Sequence, residues 1–241
     1  MKTQDLQQQI IDYLNELTKS ISKTDAELNA YYEIVEIISE HYSKKYKIMA
    51  CNKDKYVFAF SESQLLYKKY YGIDIYAPRI DVGVTPTVLM NGRKVPIGVL
   101  LTSRADGSNK SEWQEYLENF YDHSAVWDIL KNMFGYDDSS NDNKNPVYIL
   151  GIEIESSGSV KYLMGDFMNA TILSKIGIVV SNDRAVEKVK MLTKYIAQIE
   201  ENRKLNNKQA SFFIHPKKAF TSDEILEILS ANETIGLKQC T

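Results

Sequence analysis

Between Thr3 and Ile21, and again between Thr24 and Lys45, apolar residues return every three or four positions, the period of an amphipathic helix. Thr24 with Glu27 three residues on is the capping-box pattern that opens a helix. Leu28, Tyr31, Val35, Ile38 and Tyr42 draw one apolar stripe along the second helix, and Glu33, Glu36 and Glu40 mark its solvated sides. The period then shortens. Ile48–Cys51 and Tyr56–Phe60 read as short strands, and Ser61–Tyr71 as a helix that Gly72 ends. From Ile73 to Pro86, alternation sets Ile80, Val82 and Val84 on one face and Arg79, Asp81 and Gly83 on the other.

The second half repeats this mixture. Trp113, Tyr116, Phe120 and Trp127 fall at helical spacing between Ser111 and Phe134 and read as core. A polar loop from Asp137 to Asn145 leads into Val147–Glu155, an apolar, β-branched run with the character of a buried strand. After a turn at Ser156–Ser159, Val160, Leu163, Met164, Phe167, Met168 and Ile172 mark an amphipathic helix, and Ile176–Val180 another buried strand. Helices over Asp183–Ile199 and Ser222–Leu229 bracket a short strand at Ser211–Ile214. Helices that precede and alternate with apolar strands predict an α/β or α+β fold, a central mixed sheet flanked by helices, as one domain over residues 1–241 without internal repeats.

Composition narrows the class. With 44% hydrophobic and 25% charged residues in 241, the chain has the make-up of an ordinary globular protein that buries a sizeable core. No stretch approaches membrane-spanning length and the N-terminal segment is amphipathic rather than signal-like, so no membrane association and a cytoplasmic location are expected. Cys51 and Cys240 show neither a paired-thiol motif nor zinc-ligand spacing. A net charge of −3 does not speak for nucleic acid by itself. Lysines nevertheless cluster at Lys44-Lys45 and Lys47, Lys53 and Lys55, Lys68-Lys69 and Lys217-Lys218, each also explicable as a solvated face. His41, His123 and His215 fit no metal or triad spacing.

The departures from apolar patterning carry the chemistry. Glu153 and Glu155 interrupt the Val147–Glu155 run two residues apart, so both point to one side of the strand. Burying two like charges together costs several kcal/mol unless a cation or proton is shared. Asp81 breaks a second apolar strand in the same manner. If the three acids converge they form an oxygen-rich set for a divalent cation, with Mg2+ the best match, and Lys161 at the start of the following helix would reach back to orient an attacking water. The alternative is structural: Arg79 or Lys161 neutralising the acids as ordinary ion pairs.

Pro78-Arg-Ile-Asp81, then Gly151-Ile-Glu153-Ile-Glu155 and a helix containing Lys161 and Gly165-Asp-Phe-Met-Asn-Ala170, resemble the PD-(D/E)xK superfamily, in particular nucleases like type II restriction endonucleases. The resemblance covers about residues 73–180 and its motifs are short. It implies a restriction endonuclease-like core, with Asp81 and Glu153 as magnesium ligands. The family's lysine falls at position 155, where this chain has Glu155, which makes the motif E-x-E and leaves the missing charge to Lys161. The separation of Asp81 from Glu153 exceeds the usual spacing, which a helical insertion over roughly 99–146 explains. The implied activity is magnesium-dependent, sequence-specific cleavage of double-stranded DNA by a homodimer. A nuclease fold that has lost catalysis and only binds DNA or a protein partner is the alternative, and Glu155 is the feature that favours it.

Overall fold

A computed structural model describes residues 3–61, 80–102, 110–136, 146–156, 159–191 and 219–238. Helices α1 (Thr3–Ser20) and α2 (Asp25–Tyr42) lead into strands β1 (Ile48–Ala50) and β2 (Val57–Ser61), then β3 (Val82–Met90) and β4 (Arg93–Pro96). Three helices follow, α3 (Ile97–Thr102), α4 (Lys110–His123) and α5 (Ala125–Met133), in the stretch where the sequence predicts a helical segment. Strand β5 (Tyr148–Glu155), helix α6 (Val160–Leu173) and strand β6 (Ser174–Ser181) form a parallel crossover unit. A helical run α7 at 183–191, strand β7 (Ala219–Thr221) and helix α8 (Ser222–Lys238) complete the described chain. Ser61, the expected start of a helix, instead ends β2, and the rest of that helix, at 62–71, and the expected strand at 211–214 lie outside the described residues, as do Arg79, the loop at 137–145, His215 and Cys240.

The seven strands form one mixed sheet in the order β1-β3-β5-β6-β7, with β2 and β4 also paired to β3. Strand β3 organises it. Its first half pairs antiparallel with both β2 and β5, so these occupy opposite edges, and its second half does the same with β1 and β4. The β3–β4 hairpin closes through Asn91 and Gly92, both at positive φ (50° and 78°), the two-residue Asn-Gly turn whose twist matches that of the strands.

Strand alternation distributes the core over both sheet faces. On β6, Ile178 and Val180 join the main core with Ile10, Leu14, Val82, Val84 and Ile152, whereas Val179 packs with Leu163 and Phe167 of α6 and Ala185 and Val189 of α7. Helix α6 therefore covers the face of β5 and β6 that carries their odd-numbered residues. It lies very close: a Cβ on Gly177 would come within 2.4 Å of the Ala170 carbonyl oxygen, so glycine is what admits the helix there. Val160 to Leu173 is helical as predicted, but Ile172 is exposed while Ala170 is buried, because the helix turns its small residue towards the glycine.

Two expectations change in α2. Thr24 caps the helix, accepting from the Glu27 N–H at 3.1 Å, and Glu33, Glu36 and Glu40 are exposed as predicted. Glu27, however, does not reach back to close a capping box. It is fully buried and accepts hydrogen bonds from the Tyr56 and Ser124 hydroxyls, so the acid is part of the core between α2, β2 and α5. Tyr116, Phe120 and Trp127 are buried as expected of core aromatics, while the Trp113 side chain lies outside the described positions. Among the described residues no helix is long and apolar enough to cross a membrane.

Candidate functional site

The β3–β5 ladder pairs Val84 with Leu150, Gly83 with Gly151 and Val82 with Ile152, and one further step along the same register sets Asp81 opposite Glu153. Asp81 does not belong to the strand, as the alternation predicts, but to a bend immediately before it. The bend has two effects. It turns Ile80 away from Val82 and Val84 and over the two paired glycines: a Cβ on Gly151 would lie 2.3 Å from the Ile80 Cδ1, and one on Gly83 3.2 Å from its Cγ2. It also lets the Asp81 side chain replace a missing backbone partner, since the Ile154 N–H donates to Asp81 Oδ2 at 2.7 Å. In return the Asp81 N–H points at Glu153 Oε2, 3.3 Å away, and the Gln7 amide of α1 donates to the Asp81 carbonyl at 2.6 Å. Asp81 is thus fixed by main-chain and side-chain contacts from two elements.

Glu153 is buried, 7% exposed, on the face that α6 covers. Asn169 of α6 donates its amide to Glu153 Oε1. Burial pushes the Glu153 carboxyl up to about 8, and the neighbouring Asp81 and then Asp166 push in the same direction, against the hydrogen bonds from Asn169 and the Asp81 N–H. Glu155, two residues on and half-buried, accepts from the Ser181 hydroxyl through its carbonyl oxygen. Its side chain meets Asp166. Burial first, then the Glu155 charge and a hydrogen bond to it, raise the Asp166 carboxyl to about 6, with a further push from Asp81. Asp81, Glu153, Glu155 and Asp166 therefore make one electrostatically connected patch of acids between the β3–β5 ladder and α6.

Of the residues expected at the site, the structure brings Asp81 and Glu153 into direct contact and sets Glu155 beside them through Asp166. Lys161 occupies the first turn of α6, with its side chain outside the described positions. Asp166 and Asn169 were not singled out by pattern. Their signal was present, because residues three apart share a helix face and a polar pair facing a buried sheet needs a partner there. The donor set is hard oxygen throughout, which suits Mg2+. Among the described residues no three acidic, histidine or cysteine groups are gathered closely enough to cage an ion by themselves. A cation held here would rest on Asp81 and Glu153 and complete its shell with water and substrate oxygens, as Mg2+ characteristically does.

No protein-family model, curated protein or solved structure matches the chain.

Proposed function

We propose that the chain is a magnesium-dependent endodeoxyribonuclease that hydrolyses phosphodiester bonds of double-stranded DNA as a homodimer, in the manner of type II restriction endonucleases. The observation that carries the reading is the pairing of Asp81 with Glu153 across one ladder step, with the Glu153 carboxyl driven up to about 8 by burial and by that neighbour. A buried carboxyl with a second acid beside it favours whatever brings positive charge between the two. Bound Mg2+ would polarise the phosphodiester and lower the pKa of a coordinated water.

The chain's own residues have distinct parts in this reading. Asp81 and Glu153 are the ligands, and Asn169 and the Ile154 N–H hold their carboxylates in place. Asp166, hydrogen-bonded to Glu155 and raised to about 6 by burial and by that charge, lies beside the ligands, and activation of the attacking water falls to Glu155 on the E-x-E motif or to Lys161 as the replacement for the family's lysine. A two-fold dimer would present two such sites to the two strands of a palindrome.

The test is incubation with a long mixed-sequence duplex, in magnesium and in chelator, beside Glu153→Gln and Asp81→Asn. Discrete fragments that require magnesium and vanish in both variants are expected, and sequencing their ends would give the recognition site. Cleavage retained by either variant would overturn the site assignment. Intact DNA bound equally well with and without magnesium would favour the degenerate, binding-only reading, for which Glu155 in the lysine position is the supporting observation.

A further inference from the structure

At the far end of α1 from Asp81, the α1–α2 turn and the β1–β2 connection flank an open polar cleft of about 380 Å³ lined by Lys19, Lys23, Lys53, Asp25, Asp54 and Leu28. Gln7, which touches Asp81, and Lys19 are separated by about 18 Å along the helix at ~1.5 Å rise per residue, so the cleft is distinct from the acid patch. Lys23 differs from an ordinary surface lysine. It is half-buried, and its ammonium donates to the carbonyl oxygens of Thr18 and Ile21, both at 2.8 Å, which fixes the charge in the cleft wall. An ammonium has three donors, and among the described residues the third takes no protein acceptor.

The cations are concentrated beyond the cleft itself. Lys55 adjoins it, anchored on the Asn15 carbonyl at 2.9 Å, and Lys55 and Lys94 both lie over the Phe58 ring, 5.2 and 3.9 Å from its centroid. Lys55 is pushed down by burial, back up by Glu16 and down again by Lys94 and Lys19, and Lys23 is pushed down by burial, back up by Glu27 and Asp54 and down by Lys55. Five ammonium groups thus stand against four carboxylates, Glu16 (3.7 Å from the Lys19 ammonium), Asp25, the buried Glu27 and Asp54, which leaves one positive charge in excess for an anion to meet.

We infer that this cleft is a phosphate-binding site, with Lys23 as the fixed anchor and Lys19 and Lys53 as flanking charges. Its ligand is a phosphate ester, supplied either by a nucleic-acid backbone or as a free phosphate. Multiple point charges around a roomy polar cleft suit a tetrahedral dianion or a phosphodiester better than a planar carboxylate, which arginine forks recognise. The inference is independent of the acid patch, because it requires no divalent cation.

The test is run in chelator for that reason. Binding of a short labelled duplex DNA is followed by fluorescence anisotropy, and binding of inorganic phosphate by calorimetry, for the full chain and for a Lys19→Ala/Lys53→Ala double variant. Both lysines are exposed, so the fold should be kept, and a thermal melt verifies it. The double variant should bind the duplex roughly tenfold more weakly and with a salt dependence reduced by about two counterions. Asp25→Asn, which removes a repelling charge, should tighten binding about twofold. Phosphate binding without DNA binding would identify free phosphate as the source; DNA binding lost in the double variant would identify the backbone. Equal affinity of the folded double variant and the parent, or no binding of either probe, would overturn the inference.

Discussion

Glu27 and Glu153 are both buried glutamates whose carboxyls burial raises, yet they sit in opposite company. Around Glu27 every further influence favours the charged form: hydrogen bonds from Tyr56 and Ser124, and the Lys23 ammonium. Around Glu153 the next influence after burial is another acid, Asp81, and Asp166 adds to it. Burial therefore does not distinguish a structural carboxylate from a candidate catalytic one. The second-largest influence does, because a fold that needs only packing surrounds an acid with donors, whereas a set of ligands places acids against each other and leaves the compensation to something that binds.

The largest expected effect breaks the Glu27 side of this contrast. Glu27→Ala leaves the Tyr56 and Ser124 hydroxyls without their acceptor inside the core, and should cost about 2–4 kcal/mol in urea denaturation. Glu153→Gln should act in the other direction on stability, raising that of the metal-free protein above pH 8 by roughly 1–3 kcal/mol, while removing any magnesium-dependent gain in melting temperature. A loss of stability in Glu153→Gln at that pH would place Glu153 with Glu27 as a structural acid.

The pH dependence sharpens the same comparison. Because the folded-state Glu153 carboxyl binds its proton more tightly than the unfolded one, its contribution to stability is complete below about pH 4.5 and is lost as pH rises through about 8. Asp166 adds a smaller loss between about pH 3.8 and about 6. Denaturation midpoints measured in chelator across this range should decline with pH in the parent and decline less in Glu153→Gln. The smallest effect is expected from Asn169→Ala, which removes a hydrogen bond that favours the charged Glu153 and should raise its titration midpoint by less than about one unit. A carbon-13-detected titration of the Glu153 carboxyl would read that shift, and a fall would show that Asn169 does not act on the charged form.

Much of the architecture was legible in the chain, and for identifiable reasons. Uninterrupted β-branched runs gave β5 and β6, and three-to-four spacing gave α1, α2 and α6, because burial on one or both faces imposes those periods directly. Asp81 and Glu153 stood out because each violates such a period. The bend at Asp81 was not legible: alternation presumes an unbroken strand, and the turning of Ile80 over Gly83 and Gly151 depends on the glycines of two strands meeting in one register. Asp166 and Asn169 stayed hidden because polar residues on an amphipathic helix read as solvent-facing until the partner sheet is known. Glu27 misled for a related reason, since Thr24 with Glu27 is a local signal and the Tyr56 that claims the carboxylate comes from another element. The Asn91-Gly92 turn was available to pattern reading and marks β4 as clearly as any strand signal.

The contact between the Ile154 N–H and Asp81 Oδ2 has an experimental use of its own. The amide sits at the end of a ladder, where its protection from solvent exchange depends on one side chain rather than on a neighbouring strand. An ion taken by the other carboxylate oxygen should leave that single hydrogen latched, whereas anything that draws the Asp81 carboxylate elsewhere should release it, so its exchange rate becomes a built-in gauge of the acid's position, readable without an assay for any reaction.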